Sequence, residues 1–326
     1  MQSSLGYALG AGGDAAGAED AYRAAIAAGL QKADAHGNLG VLLKQRGDTA
    51  GAETAYRAAI AADPKHAVAH SNLGLIYRAR GDKDGAEAAY RAAIAIGPQH
   101  ANPHYNLGLL LENDRGDTAG AEAAYHAAIA ADPQHTDAHC NLGNIRRNRG
   151  DAAGAEASYR AAIAADPQYA PAQCNLGVLL GQRGDKAGAE TAYRAAIAAG
   201  LQNSTAHFNL GNILTERGDK AGAEAAWRAA IAADPQDPNP QCNLGVLLVQ
   251  RGDKGGAETA YRAAIAADPQ HVVARFYLGC LLAQHGDHAG AARSFAAALK
   301  IDPSHVEAKA HLQIALRTLK EEHRKV

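Results

Sequence analysis

Large side chains are scarce in this 326-residue sequence: aromatic residues make up 5%, with three Phe and a single Trp, and Met occurs once. A bulky central core is thereby excluded, and the 47% hydrophobic content, much of it alanine, suits closely packed helices instead. Charge of one sign is also missing. The chain carries 32 Lys plus Arg against 34 Asp plus Glu, a formal net charge of −2, so no global field draws it to nucleic acid or an anionic membrane. No apolar run approaches the ~18 residues that a membrane span needs.

Cysteine is sparse as well. Cys140, Cys174, Cys242 and Cys280 form no CxxC pair and no dense framework, which suits reduced thiols and a cytoplasmic location. The start, Met1-Gln2-Ser3-Ser4-Leu5-Gly6, lacks the basic segment and apolar block of a secretory signal; intracellular residence or a removed leader is expected. No Gly-rich phosphate loop, HExxH, GxSxG or paired-Cys metal pattern occurs. The expectation is a non-enzyme with no cofactor and no metal.

What the sequence has in abundance is repetition. A Leu-Gly pair recurs with its glycine at 6, 40, 74, 108, 143, 177, 211, 245 and 279, every step being 34 residues except the fourth, which is 35. The extra residue falls where Glu112-Asn113-Asp114-Arg115 replaces a stretch such as Lys44-Gln45-Arg46. A second glycine followed by aspartate, as in Gly47-Asp48 and Gly184-Asp185, marks a turn within each unit, glycine ending one helix and aspartate capping the next. Ala52, Tyr56 and Ala59 follow at a spacing that shares one helical face; Trp227 and Phe295 take the tyrosine's place in units seven and nine. Seven units end in proline, from Pro64 to Pro303, and units one and six use Gly29-Leu30 and Gly200-Leu201. Each unit reads as helix, tight turn, helix.

This pattern of Leu-Gly, Ala, aromatic, Ala and Pro in 34 residues resembles the tetratricopeptide repeat family, from Leu5 to His305. The resemblance implies an all-α, right-handed superhelical solenoid of nine helix-turn-helix units over residues 1–305. A capping helix and charged tail are expected over 306–326, with Ala308, Leu312, Ala315, Leu316 and Leu319 at helical spacing. No cap precedes the first unit, so that end invites a partner or self-association.

The same resemblance implies a concave groove lined by the first helix of each unit, at its second, fifth, sixth, ninth, twelfth and thirteenth positions. The sixth position is Asn38, Asn72, Asn106, Asn141, Asn175, Asn209 and Asn243 in seven consecutive units. Such a ladder is similar to that in the repeat domain of O-linked N-acetylglucosamine transferases, and each amide offers both a donor and an acceptor to an extended backbone. At the twelfth position Lys44, Arg78 and Arg147 make the early groove basic, with Glu112 interrupting. At the fifth, Phe208 and Phe276, with Cys242, make the late groove apolar. The expected partner is a protein or peptide with acidic and apolar parts, and the expected function a protein-protein interaction scaffold; the alternatives are a self-assembling module or the interaction domain of a larger enzyme. The Lys and Arg clamp by which related domains hold a C-terminal carboxylate is absent. The fourth-position histidines His36, His70, His104, His139 and His207 are expected to pack rather than bind metal, because equivalent positions in adjacent hairpins lie about 10 Å apart.

Overall fold

The recurring Gly-Asp pair sets the hairpins. In the computed structural model, which describes residues 14–30 and 32–324, Gly47 has a φ of +84°, a left-handed conformation that glycine adopts without strain. The Asp48 carboxylate then accepts the backbone N–H of Gly51 at 2.8 Å and starts the next helix. Every second helix described begins with this Asp-to-Gly cap, from Asp14 to Asp287. The glycine three residues on is needed for space, since a Cβ on Gly51 would lie 2.2 Å from an Asp48 oxygen.

The chain forms two compact parts, residues 1–167 and 168–326. The first contains α1 (Ala15–Ala27), α2 (Lys32–Gln45), α3 (Thr49–Ala62), α4 (Ala67–Ala79), α5 (Lys83–Ile96), α6 (Ala101–Leu109), α7 (Thr118–Ala131), α8 (Thr136–Asn148) and α9 (Ala152–Ala165). The second contains α10 (Ala170–Gln182), α11 (Lys186–Ala198), α12 (Ser204–Glu216), α13 (Lys220–Ala233), α14 (Pro238–Gln250), α15 (Lys254–Ala267), α16 (Val272–Gln284), α17 (His288–Ile301) and α18 (Val306–His323). The described residues include no strand, and from α2 to α17 the helices pair as first and second members of eight hairpins. The first helix of the first hairpin, with Leu5-Gly6 and the open end expected to self-associate, lies outside the described residues, as do Lys325 and Val326.

Leu-Gly has a packing cause. The ring of Tyr261 on α15 lies against the bare Cα of Gly245 on α14, where a Cβ would meet Tyr261 Cε1 at 2.5 Å. Equivalent contacts join Gly40 to Tyr56, Gly211 to Trp227 and Gly279 to Phe295. The rings of Tyr56, Tyr90, Tyr125, Tyr261 and Phe295 are fully buried among leucines and alanines of neighbouring helices, and that of Tyr159 is fully buried as well. On α18, Ala308 and Ala315 are buried, and Leu312 and Leu319 pack on the Phe295 cluster. Leu316, expected on the same face, is instead 46% exposed; three positions from Gln313 and one from Ala315, it points off the apolar stripe.

Position four explains its histidines. Nε2 of His70, His104 and His139 each lies 3.0 Å from the carbonyl of Pro64, Pro98 and Pro133, and a carbonyl can only accept, so these rings carry a proton on Nε2. Gln241 and Arg275 make the same bond to Pro235 and Pro269. His207 follows Gly200-Leu201 rather than a proline and lacks that bond; burial pushes its imidazole pKa below the ordinary 6.5. Arginine before six of the turns reaches the glutamate of the preceding second helix, as Arg149 to Glu122 at 2.7 Å and Arg217 to Glu190 at 2.9 Å. Being exposed, such pairs contribute about 0–1 kcal/mol each.

Two outcomes follow from this packing. Gly245→Ala should lower stability by about 1–2 kcal/mol through overpacking, whereas Gly255→Ala, whose Cβ would meet nothing within 4 Å, should raise it by up to about 1 kcal/mol; urea midpoints compare the two. Because the folded-state pKa of His207 lies below its unfolded value, the unfolded chain binds the extra proton as pH falls from 6.5, and stability is lost in that direction. Urea midpoints at pH 7.5 and 5.5 should therefore differ less in His207→Gln than in the parent.

Candidate functional site

Leucine at position seven and glycine at position eight of each first helix face inward, which leaves the preceding residue at the edge of the opposite face. Asn38, Asn72, Asn106 and Asn141 are half-buried there on α2, α4, α6 and α8, and Asn175, Asn209 and Asn243 on α10, α12 and α14. Their amides are not equivalent. Those of Asn38, Asn72 and Asn106 make no side-chain hydrogen bond among the described residues. Asn141 Nδ2 donates to the Tyr105 hydroxyl at 3.4 Å. Asn243 Nδ2 donates to Asn212 Oδ1 at 3.0 Å, which also accepts the Trp227 indole N–H at 3.3 Å.

Asn72 and Asn106 line one cavity of about 380 Å³ between α4 and α6. His100 lines it too, for a reason written in the sequence. His66, His135, His271 and His305 cap their helices, Nδ1 accepting the N–H of the third residue at 3.0–3.3 Å. In α6 the third residue is Pro103, which has no N–H, and His100 makes no cap bond. Its ring packs instead over Gly97, where a Cβ would meet it at 2.4 Å.

The cations expected in the early groove have different fates. Lys44 is exposed at the end of α2, and Arg147 is half-buried on α8. Arg78 is ion-paired, its Nε 2.6 Å from Asp114. The 35th residue of that repeat causes this: Leu110–Arg115 winds as a π-helix, a way of absorbing one insertion. It swings Asp114 onto Arg78, while Arg115 pairs with Asp84 and keeps the Glu87 contact that arginines at other turns make. Glu112, in the same turn, accepts the Tyr125 hydroxyl at 2.7 Å.

In the second part, Phe208 is half-buried on α12, and Phe276 sits with its ring among Phe295, His305 and His311 at 5.0–5.9 Å. Cys140, Cys174 and Cys242, expected to face the groove, are interior residues with 3%, 6% and 3% exposure. Cys242 packs with leucines and alanines of α14 to α17, and burial pushes its thiol up to about 11. Sequence reasoning passed over Tyr277, which stands at position six of the ninth unit where seven others have asparagine and is 37% exposed. The break in the ladder was its signal. No cluster of His, Cys, Asp or Glu among the described residues could hold a metal ion.

Position nine is one place from which a core tyrosine is satisfied. Tyr159 donates its hydroxyl to Asn144 at 2.8 Å, but the hydroxyls of Tyr56 and Tyr90, whose repeats have Val41 and Leu75 there, are buried without a partner, and burial pushes both phenols up to about 12. Tyr56→Phe and Tyr90→Phe should therefore leave urea stability within about 0.5 kcal/mol of the parent, whereas Tyr159→Phe should cost about 0.5–1.5 kcal/mol.

Comparison with curated proteins gives no match. Many solved structures share the fold. The TPR protein YrrB, described as having an unusual peptide-binding site, aligns over 58% of this chain and 97% of its own at 22% identity, TM-score 0.52. The Cut9–Hcn1 assembly of the APC/C aligns over 92% of this chain and 58% of its own at 15% identity, TM-score 0.55. The C-terminal part of a TPR repeat-containing protein from Cytophaga hutchinsonii aligns over 74% of this chain and 98% of its own at 13% identity, TM-score 0.56. At these identities the likeness is one of fold alone. The sequence itself matches the family described as "Tetratricopeptide repeat" over residues 4–67, 42–101, 105–170, 174–238 and 242–306. With almost its whole length matched, its helix pairs in place and its Gly-to-ring contacts recurring, the chain belongs to the tetratricopeptide repeat family.

Proposed function

We propose that the chain is a non-catalytic scaffold that holds an extended peptide or protein segment along the face made by its first helices. Tetratricopeptide repeats in general mediate protein-protein interaction, and the observation that carries the reading here is the cavity between α4 and α6, lined by Asn72 and Asn106 with amides that nothing else engages. Each offers one acceptor and two donors, a match for main-chain groups that does not read sequence. Asn38 on α2 is free in the same way, while Asn141 and Asn243 are partly spent on internal bonds. The partner we favour has acidic residues to meet Lys44 and Arg147 and apolar residues to meet Phe208. No described helix is long and apolar enough to cross a membrane. The four scattered cysteines, with no CxxC pair or dense framework, favour a reducing, cytoplasmic setting.

The test is a displayed random-peptide library selected on the full chain, with the enriched peptides measured against the triple variant Asn38→Ala, Asn72→Ala, Asn106→Ala at equal helicity. Loss of two or three hydrogen bonds at about 0.5–1.5 kcal/mol each should weaken binding tenfold or more. Unchanged affinities would remove the ladder from the binding site.

A further inference from the structure

The ladder ends at Tyr277, and the surface beside it differs from the rest. Between α14 and α16 lies a cavity of about 250 Å³, walled by Val246, Val249, Tyr261, Tyr277, Cys280 and Leu281. Tyr277 stacks on Tyr261 with ring centres 5.9 Å apart and planes 20° apart; its neighbour Phe276 turns inward to Phe295. Tyr277 is thus the ring left at the surface. Two exposed carboxamides, Gln250 and Gln284, also border the cavity. No carboxylate, amine, guanidinium or imidazole lines it. At the twelfth position, where the first part has Lys44, Arg78 and Arg147, this cavity has Val249.

We infer that this cavity is an anchor for one uncharged apolar side chain, branched aliphatic or aromatic, carried by the bound segment, and that Tyr277 is its specificity-determining residue. The inference rests on the groove reading above for the segment it belongs to. Charge complementarity selects the occupant: a Lys, Arg, Asp or Glu side chain entering here would give up hydration and meet no opposite charge, whereas an apolar one removes both surfaces from water. Gln250 and Gln284 supply donors and acceptors for the main chain on either side of the anchored residue. An apolar pocket with a polar border of this kind concentrates binding energy in a few contacts.

The experiment uses the full chain with methyl-labelled valine and side-chain-labelled asparagine, titrated by NMR with acetyl-Gly-Gly-X-Gly-Gly-amide, X being Leu, Gly, Lys or Glu. The leucine peptide should saturate the Val246 and Val249 methyl shifts at concentrations about tenfold or more below the other three. Tyr277→Asn, which installs the residue seven other repeats carry at this position, should erase that preference, and Val249→Glu, checked for equal helicity, should do the same. Shifts at the Asn72 and Asn106 amides with all four peptides and no leucine preference at Val246 and Val249 would overturn the anchor while the groove reading stands. A leucine preference at the valines without any asparagine shift would support the anchor and overturn the groove reading. No saturable shift at either place would overturn both.

Discussion

A ring lying on a bare Cα is the contact from which the rest of this structure is built. With Tyr261 Cε1 at 2.5 Å from where a Cβ of Gly245 would be, the two helices of a hairpin approach as closely as backbone and ring allow. That approach lets small residues such as Ala257 and Ala264 fill the remaining space, and an alanine-rich chain with few large side chains can then be densely packed. The same contact recurs with tryptophan at Gly211 and phenylalanine at Gly279, so flatness and size are what the position requires. The hydroxyl is a separate matter, satisfied at Tyr159 and left without a partner at Tyr56 and Tyr90.

Once the hairpins are fixed, the first helices present a regular row of positions whose chemistry is free to vary. The variation is set by partners far away in sequence. Asn243 is engaged because Asn212 stands 31 residues before it; Asn72 and Asn106 have Val41 and Leu75 at the equivalent places, which offer no polar partner. A single inserted residue turns Leu110–Arg115 into a π-helix and brings Asp114 onto Arg78, so one of three cations expected on that face is neutralised by the repeat that follows it. Pro103 has a comparable reach: lacking an N–H, it releases His100 from the capping duty that four other histidines perform.

Much of this was legible in the sequence. Gly-Asp gave each turn and cap, because φ preference and side-chain capping act within three or four residues. The 34-residue period and the insertion at 112–115 located every hairpin, and the packing role of the fourth-position histidines was anticipated, though not its device, a bond to the proline carbonyl six residues back. The candidate site was legible only as a row of positions. Cys140, Cys174 and Cys242 read as groove residues and are interior, and Phe276 lies among rings of α17 and α18, because the heptad-like pattern of a short helix does not say how far a neighbouring hairpin covers its flank.

The sequence by itself therefore determined the repeat, the helix boundaries, the capping and the ring-to-glycine seam, all consequences of local backbone chemistry and of identical text repeated at a fixed spacing. The tertiary structure alone decided which amides are free, which cation is paired, which thiols are buried and that Tyr277 borders an apolar cavity. Those outcomes depend on side chains brought together from about a repeat away, where one substitution or one inserted residue changes the partner and leaves the periodic pattern untouched.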